Sequence, residues 1–120
     1  MSNTTVKPAN GKLGVLVVGL GAVTSTFMTG VLMARKGLAK PVGSMTQYDK
    51  IRVGKGADKK YLKYEDIVPM AKLDDIVFGA WDVYPANAYQ SAKYAEVLQD
   101  KDIEPVKDEL EKIVPMKAAF

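Results

Sequence analysis

The stretch Leu13-Gly14-Val15-Leu16-Val17-Val18-Gly19-Leu20-Gly21-Ala22-Val23-Thr24 decides how this chain is read. Leu13, Val15, Leu16, Val17 and Val18 form a short run rich in β-branched residues and bounded by glycines, the pattern of a strand buried on both faces. After Gly21 the period changes, and Val23, Phe27, Val31 and Ala34, with Met28 and Leu32 beside them, recur at helical spacing. Between strand and helix lies Gly-x-Gly-x-x-Thr. In a dinucleotide-binding βαβ unit the first glycine permits the tight turn, and the second lets the backbone approach a pyrophosphate with no Cβ in the way. The helix N-terminus then offers free N–H groups to the phosphate oxygens. Gly19 and Gly21 fit those two roles. The third position, normally Gly or Ala for close packing, is Thr24, and Thr24 and Ser25 are candidates for a helix N-cap or for a hydroxyl bond to phosphate. The motif is not a P-loop, because no Gly-Lys-Ser/Thr follows. A strand-to-helix turn that holds no ligand would carry the same glycines.

Working outward, no residue from Leu13 to Ala34 is charged, and Lys12 and Arg35-Lys36 flank a run of about the 20 residues that span a bilayer. Gly14, Gly19, Gly21 and Gly30 argue against a span, since an interior helical Gly costs ~1 kcal/mol relative to Ala. The polar leader Ser2 to Asn10 with its single lysine is no signal-peptide start. No membrane is expected.

The whole chain has 120 residues, 48% hydrophobic and 26% charged, which suits one small globular domain. With no Cys and no His it lacks disulfides, thiol nucleophiles, Cys/His zinc sites and histidine bases. Absence of Cys fits a reducing cytoplasm. The net charge of +3 is unevenly spread: nine basic and two acidic residues between Arg35 and Lys63 give +7, and the other eight bases and twelve acids give −4. This segment reads as a solvated loop. It lacks the aromatic platform that nucleic acid needs, so no nucleic-acid partner is expected, while a phosphate-bearing small molecule stays open.

A dinucleotide fold also needs a ribose-binding acid, expected ~20 residues past the turn. Gly37 to Gly43 holds none, and Asp49 is followed by Ile51-Arg52-Val53, which alternates like a half-exposed strand. Asp66 to Met70 reads as a short helical turn ended at Pro69. Asp75 to Asp82 reads as a second buried strand that ends in an acid, with Phe78 and Trp81 in the core. At such a strand end Asp82 can meet whatever sits on the glycine turn; alternatively it caps the loop before Pro85. Ala88, Ala92, Ala95 and Leu98 mark a helix over Ala86 to Leu98, with Tyr84, Tyr89 and Tyr94 as packing residues. Val106 to Val114 is an amphipathic helix whose carboxylates form a solvated face. Too few strands are visible to close a doubly wound α/β domain, and no closing element is visible at Lys117-Ala118-Ala119-Phe120, so the chain reads as a fragment.

Taken together, several stretches resemble the NAD-dependent myo-inositol 1-phosphate synthases (inositol-3-phosphate synthases), most closely the shorter prokaryotic branch. They are Leu16 to Gly21, Gly43-Ser44-Met45-Thr46-Gln47, Asp75 to Asp82 with its Gly-Ala-Trp-Asp ending, the Asn87 to Leu98 helix and Ile113-Val114-Pro115-Met116. They occur in family order from about Lys12 to Phe120. The resemblance implies an incomplete α/β, Rossmann-type NAD-binding domain over residues 12–120 behind a flexible leader of residues 1–11. It implies an isomerase that converts D-glucose 6-phosphate to 1D-myo-inositol 3-phosphate through internal NAD redox and aldol cyclisation. By position, Gly19, Gly21, Ala22, Val23 and Thr24 correspond to the pyrophosphate turn and Asp82 to the adenosine-ribose carboxylate. Eukaryotic members carry Gly-Gly-Asn-Asn-Gly where this chain has Gly-Ala-Val-Thr-Ser, so only backbone contacts carry over there. The family's catalytic lysines and aspartate lie beyond position 120; no catalytic or metal residue is expected here, and the 120-residue chain alone is expected to be inactive. A cytoplasmic homo-oligomer, a tetramer at full length, goes with the same resemblance. A non-catalytic nucleotide-binding module and a fragment of a generic NAD(P) dehydrogenase remain the alternatives.

Overall fold

The structure, a computed structural model, describes Thr5, Lys7 and residues 10–118. Most of the leader expected over residues 1–11 lies outside the described residues. Strand β1 (Leu13–Val18) passes through the glycine turn into helix α1 (Ala22–Arg35), whose fourteen residues take the rest of the uncharged run and the Arg35 that ends it. Then come α2 (Met45–Tyr48), β2 (Lys50–Val53), β3 (Lys60–Lys63), α3 (Tyr64–Ile67) and, after a 3-10 turn at Leu73–Asp75, β4 (Ile76–Asp82). Helices α4 (Ala88–Ala95), α5 (Asp100–Ile103) and α6 (Lys107–Glu111) lead to β5 (Met116–Lys117). Among the described residues no helix is long and apolar enough to cross a membrane.

The main sheet has three strands in the order β1-β4-β5, all parallel. In chain order β1, β4 and β5 are its first, second and third strands, the arrangement of a βαβαβ mononucleotide-binding half. The strand expected at Asp75 to Asp82 is therefore the second strand of that unit, pushed far along the chain by residues 36–75. The strand read at Ile51-Arg52-Val53 is present and lies outside this sheet: β2 pairs antiparallel with β3 in a separate hairpin, Lys50 opposite Lys63 and Arg52 opposite Tyr61. And a further strand does exist at Met116–Lys117, where two residues are too few to show a period.

The hairpin turns at Gly54, whose φ of +90° disfavours any L side chain and where a Cβ would lie 2.5 Å from the Asp58 carbonyl oxygen. The excursion that carries it is pinned at its root. Arg35, in the last turn of α1, donates from Nε to the Leu73 carbonyl at 2.6 Å and from its guanidinium to the Ile76 carbonyl.

The core lies on one face of the sheet. Met28, Leu32 and Met33 of α1 cluster there with Leu20, Ala80, Ala88, Ala92, Ile103, Val106 and Leu110, and Val17 and Phe78 pack against them. Burying side chains of the size of Ile103 or Leu110 contributes ~1.5–3 kcal/mol each. The buried stripe of α1 keeps Val31, Met28 and Leu32 of the expected pattern and departs from it at Val23 and Phe27. Val23 is exposed, and Phe27 lies edge-on to Phe78 with ring centres 5.7 Å apart. Ser25 and Thr29 are buried instead, because each hydroxyl bonds back into its own helix, to the carbonyls of Ala22 and Ser25 respectively. With their polarity satisfied, these small residues let α1 pack against α4.

Helix α4 opens with a reciprocal cap in which Asn87 Oδ1 accepts from the Gln90 amide and Gln90 Oε1 from the Asn87 amide, both at 2.9 Å. Of the three tyrosines expected to pack, Tyr89 does so against the core. Tyr94 is 92% exposed and Tyr84 73% exposed, so neither packs. Tyr89 is half-buried, and its hydroxyl donates to Glu104 at 2.6 Å. Nor are the carboxylates after Val106 simply solvated: Glu109 pairs with Lys36 at 2.7 Å, tying α6 to the end of α1.

Candidate functional site

The site is built from the carboxyl ends of β1 and β4. Gly19 follows β1 with a φ of +100°, a conformation that favours glycine, and its amide extends the ladder by donating to the Trp81 carbonyl at 2.7 Å. The next side chain, Leu20, is buried in the core, while its amide donates to Asp82 Oδ2 at 2.7 Å. Thr24 Oγ1 then donates to the Gly19 carbonyl at 2.9 Å, closing the turn on itself. The backbone is thus fixed before any ligand arrives.

These bonds correct the expected use of the hydroxyls. The N-cap of α1 is Gly21, with no side-chain cap bond, and the protons of Thr24 and Ser25 go to the carbonyls of Gly19 and Ala22. The first α1 amide with its i−4 acceptor is Ser25, bonded to the Gly21 carbonyl at 2.9 Å. The amides of Ala22, Val23 and Thr24 lie ahead of it, at the positive end of the helix dipole. Gly21 has a φ of −100°, which other residues also adopt, and a Cβ built on it meets nothing within 4 Å. Nothing within the protein requires glycine there.

Asp82 closes β4 and faces this turn. Besides the Leu20 amide on Oδ2, its Oδ1 accepts from the Tyr84 amide at 3.0 Å. The Tyr84 amide first, then that of Leu20, hold its carboxyl below the ordinary carboxylate range, so it is ionised at neutral pH. The capping role weighed for Asp82 is thus present in the geometry, and it does not exhaust the group. Each carboxylate oxygen has two lone pairs and gives one to an amide here, which leaves capacity for two further donors.

Beside Asp82, between the ends of β4 and β5, Val83, Tyr84, Lys117 and Ala118 line a cleft of about 360 Å³. The sequence hid this wall because β5 is so short. A larger cleft of about 560 Å³ runs along residues 65–72 beside Asp75, and none of residues 19–24 or Asp82 lines it. Among the described residues no group of three or more His, Cys, Asp or Glu side chains could hold a metal ion.

A family model for the NAD-binding part of myo-inositol-1-phosphate synthase matches residues 13–120. Inositol-3-phosphate synthase 1 of Bacteroides thetaiotaomicron is 57% identical over 116 residues, covering 96% of this chain and 26% of that protein. Isozyme 1 of the same enzyme from Arabidopsis thaliana is 34% identical over 121 residues, covering 91% of this chain and 24% of that protein. A crystal structure of inositol-3-phosphate synthase from Caenorhabditis elegans superimposes with a TM-score of 0.78 at 26% identity, over 96% of this chain and 25% of that one. The chain spans about a quarter of the length of the relatives it matches.

Proposed function

Because this chain belongs to the myo-inositol-1-phosphate synthase family, we propose that its glycine turn and Asp82 hold the adenosine diphosphate half of NAD in an inositol-3-phosphate synthase. Gly21 carries the reading. It stands directly before the three amides at the start of α1, and a Cβ there would meet no protein atom, so the approach to those amides is open to an anion.

The pyrophosphate lies over Gly21 and accepts from the amides of Ala22, Val23 and Thr24, whose partial positive charge favours an anion. Gly19 supplies the bend that aims those amides, and the Thr24 hydroxyl holds the bend. The free lone pairs of Asp82 accept from the two hydroxyls of the adenosine ribose, and the same charge repels a 2′-phosphate, so the site prefers NAD to NADP. When bound, NAD supplies a hydride acceptor that is regenerated within one turnover, so that D-glucose 6-phosphate becomes 1D-myo-inositol 3-phosphate without net oxidation. This chain's own part is to bind and orient the cofactor. The groups that move protons on the sugar belong to the part of the family's sequence outside the matched region, and a cytoplasmic homo-oligomer is part of the same reading.

Titration with NAD, with ADP-ribose as competitor, tests the site. Gly21→Val should weaken both ligands by more than tenfold and leave the melting temperature in place, because the added side chain fills ligand space and no protein space. Unchanged affinity would overturn the assignment.

A further inference from the structure

The hairpin of β2 and β3 carries six basic residues and one acid between Lys50 and Lys63. Its register sets Lys50 opposite Lys63 and Arg52 opposite Tyr61. Residues directly opposite in an antiparallel pair share a face, as do alternate residues of one strand, so Lys50, Arg52, Lys63 and Tyr61 form one side of the hairpin. Ile51, Val53, Leu62 and Lys60 form the other. All four residues of the basic side are exposed. Side chains directly or diagonally opposite start within about 8 Å of one another, so the three flexible cations can converge on one point. Among the described residues none of the three forms an ion pair. The Asp66 carboxylate is engaged by the Lys63 backbone amide, at 3.2 Å. Like charges directly opposite destabilise a hairpin, and two strands alone are marginal in water, so Lys50 against Lys63 is a repulsion without relief in the fold.

We propose that this side binds a compact oligophosphate, a soluble anion of two or three linked phosphate groups, between Lys50, Arg52 and Lys63. The lysines supply mobile point charges, and the arginine supplies a planar fork that takes two phosphate oxygens at once. The anion screens Lys50 from Lys63, so binding and hairpin formation reinforce each other. Lipid headgroups and nucleic acids share the phosphate chemistry, and the geometry favours neither. Basic surfaces that seat on a bilayer bring apolar side chains to the lipid beside their charges, whereas Ile51, Val53 and Leu62 lie on the opposite side. A single-stranded nucleic acid is tracked over about four or more nucleotides with several rings to stack on. The basic side is two residue pairs long and offers one ring, that of Tyr61. The hairpin is a sheet of its own, so the proposal does not rest on the glycine turn.

The test uses the full-length Bacteroides enzyme with its matched quarter replaced by this chain and with Gly21→Val to close the glycine turn. Inorganic triphosphate at low ionic strength is the probe. Amide exchange in Lys50–Val53 and Lys60–Lys63 should slow by more than about threefold when it binds. Lys50→Ala and Arg52→Ala should each weaken binding by more than about tenfold. Lys60→Ala removes the same charge from the opposite side and should change binding by less than about twofold. Equal weakening by Lys60→Ala would reduce the effect to net charge and would overturn the proposal. So would absence of triphosphate binding. Attachment to phosphatidylserine–phosphatidylcholine vesicles, or to a single-stranded oligonucleotide, that Lys50→Ala abolishes and triphosphate does not compete would reassign the face and overturn it as well. Each outcome is read at the hairpin and is independent of whether the glycine turn binds NAD.

Discussion

The Asp82 carboxylate accepts the Leu20 amide at 2.7 Å across sixty-two residues of sequence, so the strand end that carries the candidate ribose acid also fastens the candidate phosphate turn. The two halves of the proposed nucleotide site are therefore one mechanical unit. Asp82→Ala removes an acceptor from two amides at once. It should lower the melting temperature and weaken NAD binding by at least tenfold, and it should narrow the preference for NAD over NADP. A fall in melting temperature with unchanged cofactor affinity and selectivity would assign Asp82 to the cap alone.

The two glycines of the turn should separate cleanly. Gly19→Ala places a side chain at a φ of +100° and should cost about 1–3 kcal/mol of stability through backbone strain. Gly21→Val should cost little stability and most of the cofactor affinity. Thermal melts and NAD titrations on both variants check this crossing of effects.

How much of this was legible in the sequence depends on how local the signal was. The strand, the turn and α1 could be read because glycines and hydrophobic period are written within a few residues. Asp82 was found by its place at a strand end, whereas the usual interval between turn and acid pointed to the empty window at Gly37 to Gly43. The inward face of α1 was legible at Met28, Val31 and Leu32 but not at Ser25 and Thr29, which count as polar until their bonds to the preceding turn are seen. Strand β3 was hidden because Lys60 and Lys63 bracket Tyr61 and Leu62 in a stretch that reads as solvated charge. Tyr84 and Tyr94 were expected to pack, and only their neighbours in space show that they do not.

Stability should fall off at both ends of the pH scale, for different reasons. The Asp82 carboxyl is depressed in the folded protein, so its contribution is complete above the unfolded value of about 4 and is lost as pH falls through the lower folded value. Tyr89 is shifted up, first by its hydrogen bond to Glu104. Its contribution is complete below about 10 and is lost as pH rises through the higher folded value. Melting temperatures measured across pH should lose part of the acid slope in Asp82→Asn and part of the alkaline slope in Tyr89→Phe.

Gly54→Ala should open the hairpin. The new Cβ meets the Asp58 backbone, which cannot swing aside as a side chain would, and the φ is unfavourable as well. Amide exchange in Lys50–Val53 and Lys60–Lys63 should speed up by more than tenfold while that of β1 and β4 stays unchanged.

Arg35→Met keeps much of the side-chain bulk and removes the donors from the Leu73 and Ile76 carbonyls. The cost should be about 1–3 kcal/mol, the penalty for leaving half-buried acceptors unpaired. Denaturant unfolding of the variant measures it.

The clamp at Arg35 also bears on how the chain reaches this state. Pairing Leu13 with Ile76 closes a loop far longer than an ordinary strand-helix-strand unit requires. Tripling a flexible loop costs only about 1 kcal/mol in closure entropy, so the excursion is thermodynamically cheap. Its toll falls on rate, because the first contacts of the parallel sheet must be found at long range, which raises contact order and slows folding. By gripping both Leu73 and Ile76 from the end of α1, Arg35 shortens the path that remains to be searched, and the search ends where β4 can lie down beside β1.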